Sequence, residues 1–293
     1  MGIILGLTAA VCWGVSDFMA RYCTRRIGTY RTLFYLQVTG LVALSIVLAV
    51  TGEWHSLVMG THRTALAWVI GVGLLNTVSS LALFRAFETG VLAIVAPIGA
   101  SYPALTVILS LMSGEVLRPT RGLGILFALV GVVLAATSFS LNNHQVSEMH
   151  HHSGHFMRGV GWAIAAAFGY GVLFWLLGFR VMPMFGGTIS VWFIRLVTFS
   201  ALATLASPLR QSLAAPTGST LGLALGIGLI DTAAFVSNNL ALKSEQVAVA
   251  SVLTSLYGAV TVLLAAIFLR ERTEWTQWCG IALIFLGIAL ISH

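Results

Sequence analysis

Long apolar runs separated by short polar or Gly/Pro breaks recur ten times along the chain, over residues 2–21, 31–50, 65–85, 91–113, 121–140, 157–179, 187–206, 219–240, 246–269 and 275–292. Each is close to the roughly 20 residues that a helix needs to cross the hydrocarbon core of a bilayer. The pattern therefore predicts an all-α membrane protein of ten transmembrane helices. Most connections are short, but the polar stretch from Asn142 to Arg158 falls in the middle of the chain. It reads as a joint, with one unit over residues 1–141, a His-rich linker over 142–156 and a second unit over 157–293.

The two units resemble each other. A shift of about 155 positions brings Gly71-Val72-Gly73-Leu74-Leu75-Asn76-Thr77 onto Gly226-Ile227-Gly228-Leu229-Ile230-Asp231-Thr232. At the same offset Gly6 meets Gly161, Gly14 meets Gly169, Ala86 meets Ala241, and Tyr102-x-Ala104-x-Thr106-Val107 meets Tyr257-x-Ala259-x-Thr261-Val262. A slip of one residue then aligns Glu115 with Glu271, Gly124 with Gly280 and Gly131 with Gly287. Any one match between Leu/Ala/Gly-rich helices is unremarkable, whereas an offset held over five successive helices marks an internal repeat. Because five is odd, the second repeat enters the membrane from the opposite side. Inverted repeats of this kind place a binding site near the midplane, where the halves meet.

Composition removes the soluble alternatives. Of 293 residues, 58% are hydrophobic and 8% charged, against about 25% charged in a soluble domain. The basic residues behind the net charge of +6 are 14 Arg and one Lys, all but Arg195 near the ends of apolar runs, a distribution that suits lipid headgroups and not nucleic acid. Cys12, Cys23 and Cys279 are scattered and read as free thiols. The first run, reaching about Met19, exceeds a signal-peptide core and follows no basic leader, so it is expected to be a retained helix.

With the repeat in place, the chain resembles the drug/metabolite transporter superfamily, and within it the EamA-type permeases of ten helices. The likeness rests on the tandem five-helix repeat and Trp13-Gly14. It extends to Pro97 through Tyr102-Pro103 to Gly114-Glu115 and Gly122, and to the second-half segment from Tyr257-Gly258 through Arg270-Glu271-Arg272 to Gly280. The resemblance implies a central cavity lined mainly by helices 1, 3, 4, 6, 8 and 9, with helices 5 and 10 peripheral. It also implies export of amino acids or other small metabolites. The charged first loop and the His-rich linker depart from the family pattern.

Internal charges are the most informative residues, since an ionised side chain at the bilayer centre costs at least about 2.5 to 3.5 kcal/mol on insertion scales. Arg195 falls near the middle of helix 7 and Asp231 near the middle of helix 8, while Asp17 lies toward the far end of helix 1. Arg195 and Asp231 are expected to face the cavity, either as a pair that exchanges partners when substrate enters or as a fixed ion pair that helps helices 7 and 8 assemble. If transport is coupled to protons, Asp231 or Asp17 is the expected carrier. Asp231 replaces Asn76 of the first repeat, so the site offers a carboxylate on one side and an amide on the other, an asymmetry that suits a zwitterion. Trp13, Tyr102, Trp175 and Tyr257 are candidate wall residues. Pro97 and Pro103 can kink helix 4, making it the candidate moving or cavity-lining element. Gly222-x-x-x-Gly226 and the pairs Gly71/Gly73 and Gly226/Gly228 read as helix-packing positions.

The linker histidines His144, His150, His151, His152 and His155 lack the helical pairing with a carboxylate found in catalytic zinc sites, so the linker reads as solvated, with no metal site and no cofactor. Lys243 follows no glycine-rich loop, and no His-Glu-x-x-His or Gly-x-Ser-x-Gly occurs. Nothing points to an enzyme. The reading is a secondary transporter that moves, by export, a small polar metabolite such as an amino acid through alternating access, as a monomer or homodimer in the inner membrane. The alternative is a proton-coupled efflux pump for hydrophobic cations, which the positive charge of Arg195 opposes. Loops after odd-numbered helices hold Arg21, Arg25, Arg26, Arg31, Arg85, Arg158, Arg210, Arg270 and Arg272, against Arg63, Arg118, Arg121, Arg180 and Lys243 on the other side. By the positive-inside rule that count puts both termini outside, whereas the resemblance implies both in the cytoplasm. We follow the resemblance, because Glu271 and Glu274 offset Arg270 and Arg272.

Overall fold

The computed structural model describes residues 1–52, 63–137, 153–269 and 275–292. Among these residues all regular structure is helical, as lipid requires: a spanning backbone must satisfy its own N–H and C=O groups. The first repeat contains α1 (Gly2–Ile27), α2 (Thr29–Thr51), α3 (Arg63–Thr89), a broken α4 made of α4a (Leu92–Gly99) and α4b (Pro103–Met112), and α5 (Pro119–Thr137). The second contains α6 (Ser153–Leu176, extended by a π-helical turn Leu177–Val181 and a short turn Met182–Phe185), α7 (Gly187–Ala206), α8 (Ser219–Ser244), a broken α9 made of α9a (Val247–Ser255) and α9b (Tyr257–Leu269), and α10 (Trp275–Ser292). Eight of these spans are long and apolar enough to cross a membrane, and shorter apolar stretches in α5 and α10 complete the set. Side chains such as Ile4, Val50, Val78, Phe168, Phe268 and Phe285 are exposed around the bundle, where lipid rather than water is the solvent. Linker residues His144 and His150 to His152, and the Arg270-Glu271-Arg272 motif, lie outside the described residues.

Packing follows the repeat. α1 packs on α8 and α9 as α6 packs on α3 and α4, α2 packs on α8 as α7 packs on α3, and α5 packs on α10. The α5–α10 contact shows the inversion directly: a Cβ at Gly124 would lie 2.8 Å from the Gly287 carbonyl oxygen, and one at Gly131 would lie 2.7 Å from that of Gly280. The repeat aligns Gly124 with Gly280, yet in space Gly124 meets Gly287, as two antiparallel helices related by a two-fold axis must. Gly73 and Gly228 are likewise equivalent, one against Val197 of α7 and the other against Thr39 and Leu36 of α2. In contrast, Gly71 and Gly222 have no neighbour within 4 Å of an added Cβ, and Gly226 meets only the end of Met19. The expected Gly222-x-x-x-Gly226 packing motif is therefore not a helix contact.

Helix 4 breaks where its prolines predict. Pro103 cannot donate a backbone hydrogen bond into the preceding turn and instead starts α4b, a position its fixed φ favours. Helix 9 contains no proline but breaks at the equivalent place, around Leu256. There Gly258 sits so close to α4a that an added Cβ would be 2.6 Å from the Ala100 Cβ and 3.6 Å from Pro97 Cα. The two breaks thus face each other at the repeat interface.

Candidate functional site

A cavity whose free space, its opening to solvent included, is about 520 Å3 lies at that interface. Trp13 and Asp17 reach it from α1, Asn76 from α3, Tyr102 from the start of α4b, Arg195 from α7, Asp231 from α8 and Tyr257 from α9b. Seven of the residues singled out in the sequence therefore meet around one cavity. Pro97 is buried on α4a but is not on the wall; it packs beside Gly258 of α9b. Trp175 is also off the wall, half-buried, with its indole N–H donating to Ser113 Oγ at 2.8 Å.

The charged centre is held from four helices. Arg195, only 2% exposed, donates through Nη1 to Gln37 Oε1 at 3.0 Å and through Nη2 to Asp231 Oδ2. Its guanidinium also lies 5.6 Å from the centroid of the Phe235 ring, within range of a cation–π attraction. The second carboxylate oxygen of Asp231 accepts from the Trp13 indole N–H at 3.1 Å, which ties α1 to α8. Gln37 and Trp13 supply further hydrogen bonds of the kind a buried ion pair needs, while the buried Arg195 Nε, which faces Gly40, has no hydrogen-bond partner among the described residues. Gly40 makes the space. A Cβ there would lie 2.4 Å from Thr232 Oγ1 and 3.0 Å from Arg195 Nε.

Asp17 is different. It is 5% exposed and lines the same cavity, yet among the described residues no hydrogen bond or ion pair reaches its carboxylate. Asn76 donates to Thr198 Oγ1 at 3.1 Å, so the amide that corresponds to Asp231 also reaches to α7. Tyr102 and Tyr257, equivalent in the repeat, stack with ring centroids 6.5 Å apart and an interplanar angle of 17°. The Tyr102 hydroxyl is engaged with Thr254 Oγ1 at 2.8 Å and the Ser251 carbonyl at 3.2 Å, while that of Tyr257 makes no hydrogen bond among the described residues.

Two segments, residues 1–137 and 157–293, each match the EamA-like transporter family. The chain belongs to that family. A solved crystal structure shares this EamA-like fold with a TM-score of 0.76 over 99% of this chain and 96% of that one, at 20% identity. The protein MJ1333.1 of Methanocaldococcus jannaschii is 30% identical over 137 residues, which are 46% of this chain and 96% of that protein. It is little longer than a single repeat. This EamA-like chain is thus a multi-pass membrane protein of a transporter family, built from two units of a kind that also occurs singly.

Within the EamA-like cavity, several wall residues lie beyond those expected: Gln37 with Leu33 and Leu36 of α2, Ser80 with Leu83 and Phe84 of α3, Tyr170 and Phe174 of α6, and Phe235 of α8. α2 is the larger surprise, since the family resemblance implies a wall without it. A signal existed. Residues four apart share a helix face, and the wall is built of such pairs: Trp13/Asp17, Leu33/Gln37, Asn76/Ser80, Tyr170/Phe174 and Asp231/Phe235. Stepping one turn from Asn76 toward the end where α2 and α4 begin reaches Ser80, and stepping one turn from Asp231, in the opposite sense, reaches Phe235.

Those end positions show how the cavity runs. Leu33 is near the start of α2, and Leu83 and Phe84 are in the last turns of α3, so the space extends from mid-membrane toward the side opposite both chain termini. On the side of the termini the helix ends are tied together. The Glu115 carboxylate accepts from the backbone N–H groups of Val247 at 2.6 Å and Ala248 at 3.0 Å, an anion at a helix N-terminus. Arg121 reaches Glu245 at 3.4 Å, and Gln246 donates to the Val116 carbonyl at 2.7 Å. Every residue of α9a is buried behind this junction.

Among the described residues no group of three or more His, Cys, Asp or Glu is placed to hold a metal ion.

Proposed function

We propose that this protein is a secondary transporter of the inner membrane that exports a small polar metabolite, an amino acid or related solute, through the central cavity by alternating access, with both termini in the cytoplasm. The observation that carries this reading is the Arg195–Asp231 pair, braced by Gln37 and Trp13, on the wall of a cavity between inverted repeats. Charges that served assembly alone would have no reason to border an empty space. Both central helices, α4 and α9, break beside the stacked Tyr102 and Tyr257, so each has a place to bend as one end closes and the other opens. The junction at Glu115 closes the side of the termini in this conformation, and the cavity runs toward the other face.

A second reading, proton-coupled efflux of hydrophobic cations, draws on a specific observation: much of the wall is aromatic, Arg195 is already neutralised by Asp231, and Asp17 is an unpartnered carboxylate. Counterflow into liposomes separates the two. Purified protein is reconstituted with an internal unlabelled pool of amino acids, sugars, nucleosides or lipophilic dyes, and uptake of the matching label is followed. Accumulation of one polar class is expected, reduced at least tenfold by Asp231→Asn. Uptake of dyes alone supports the second reading, and an Asp231→Asn rate unchanged across pH would leave the pair a structural fixture.

A further inference from the structure

The ionisable groups on the cavity wall do not all pair. Arg195 and Asp231 cancel each other, and Asp17 remains, 5% exposed, with no hydrogen bond or ion pair among the described residues. A carboxylate in such a place takes up a proton unless it has a counter-charge. The groups on the same wall from the other elements are the Asp231–Arg195 pair of α8 and α7 and the phenols of Tyr102, Tyr170 and Tyr257 from α4b, α6 and α9b, and none of them supplies one. Around the space, Trp13 lies 5.7 Å from Phe174, 5.7 Å from Phe235 and 6.2 Å from Tyr257, centroid to centroid, and Tyr102 lies 4.8 Å from Phe174. Aromatic faces attract cations, and more strongly when the site is dry.

Resting on the transport reading above, we infer that the cargo carries a positively charged nitrogen, and that Asp17 and the surrounding aromatic rings receive it. An anionic end of the cargo finds no uncompensated cation, because a carboxylate approaching Arg195 competes with Asp231. The cavity therefore selects amines and tolerates, without requiring, an accompanying carboxylate.

The test uses the full-length protein in detergent and two sets of probes that share a side chain: isoamylamine, leucine and N-acetylleucine, and phenethylamine, phenylalanine and N-acetylphenylalanine. Thermal stabilisation is measured for wild type, Asp17→Asn and Asp17→Glu. Wild type is expected to be stabilised by the amine of at least one set, at concentrations no higher than its amino acid requires, and not by the N-acetyl compound. Asp17→Asn is expected to weaken this at least tenfold while its unliganded melting temperature stays within a few degrees of wild type, and Asp17→Glu is expected to retain binding. Stabilisation by an N-acetyl compound equal to that by its amine overturns the inference, as does stabilisation by neither amine, or amine binding that survives Asp17→Asn. Counterflow that persists in Asp17→Asn would overturn the inference while leaving the transport reading intact.

Discussion

Replacing Arg195 with methionine is expected to destabilise the protein by about 3–5 kcal/mol, the usual consequence of leaving one member of a buried pair without its partner. Gln37 and Phe235 would lose their cation, and Asp231 would keep only the Trp13 indole as a donor. Removing both charges is a different matter. Arg195→Met with Asp231→Leu leaves no stranded ion, and apolar replacements of buried pairs are often neutral or stabilising, so the double variant is expected to regain most of the lost stability. It should not regain transport. Thermal unfolding in detergent and counterflow on the same three proteins measure the two effects separately. A double variant that recovers both would show that the pair only helps α7 and α8 assemble.

Gly40→Ala is expected to abolish transport through a single methyl group. Its Cβ would meet Thr232 Oγ1 at 2.4 Å, Arg195 Nε at 3.0 Å and Arg195 Cδ at 3.3 Å. The Thr232 hydroxyl is itself held by the Gly228 carbonyl at 2.6 Å, which leaves it little freedom to retreat. Either α2 moves away from α7 and α8 or the guanidinium shifts off Asp231. Overpacking of this kind costs about 1–3 kcal/mol, but the larger effect is on geometry, because Gln37 and Arg195 must approach along the same helix surface. Thr232→Ala removes the closest clash, so Gly40→Ala with Thr232→Ala is expected to regain part of the stability. If the single Gly40→Ala variant transports at the wild-type rate, Arg195 is not held where the structure places it.

Position 40 illustrates how much the sequence could disclose. Gly40 and Arg195 stand 155 residues apart, the repeat offset itself, and they meet near the two-fold axis where α2 and α7 pack. An arginine in one half requires a glycine in the other. Nothing local to Gly40 signals this, since it sits in an apolar run like many other glycines. Only the repeat offset combined with a knowledge of which helices cross would have paired the two. The ten spans, the repeat and the isolated charges Asp17, Arg195 and Asp231 were legible because hydrocarbon tolerates so few charges. Gln37, Tyr170 and Phe174 were not, because a neutral amide or a ring in a membrane helix can face lipid, core or cavity alike. The break in α9 escaped for a related reason: without a proline its cause lies in the facing helix, where Gly258 meets Ala100. Pro97, a visible kink residue, packs beside the cavity and not on it.

Alternating access to the charged cavity can be tested most directly with a single thiol at Ser80, on the wall beside Tyr170, in a protein whose Cys12, Cys23 and Cys279 are replaced by alanine. In sealed vesicles an impermeant thiol reagent is applied from one face and then, in a separate sample, from the other. Labelling from each face is expected, with transported solute changing both rates. Labelling from one face only, whatever the solute, or from neither, would mean that the repeats enclose a pocket and not a path.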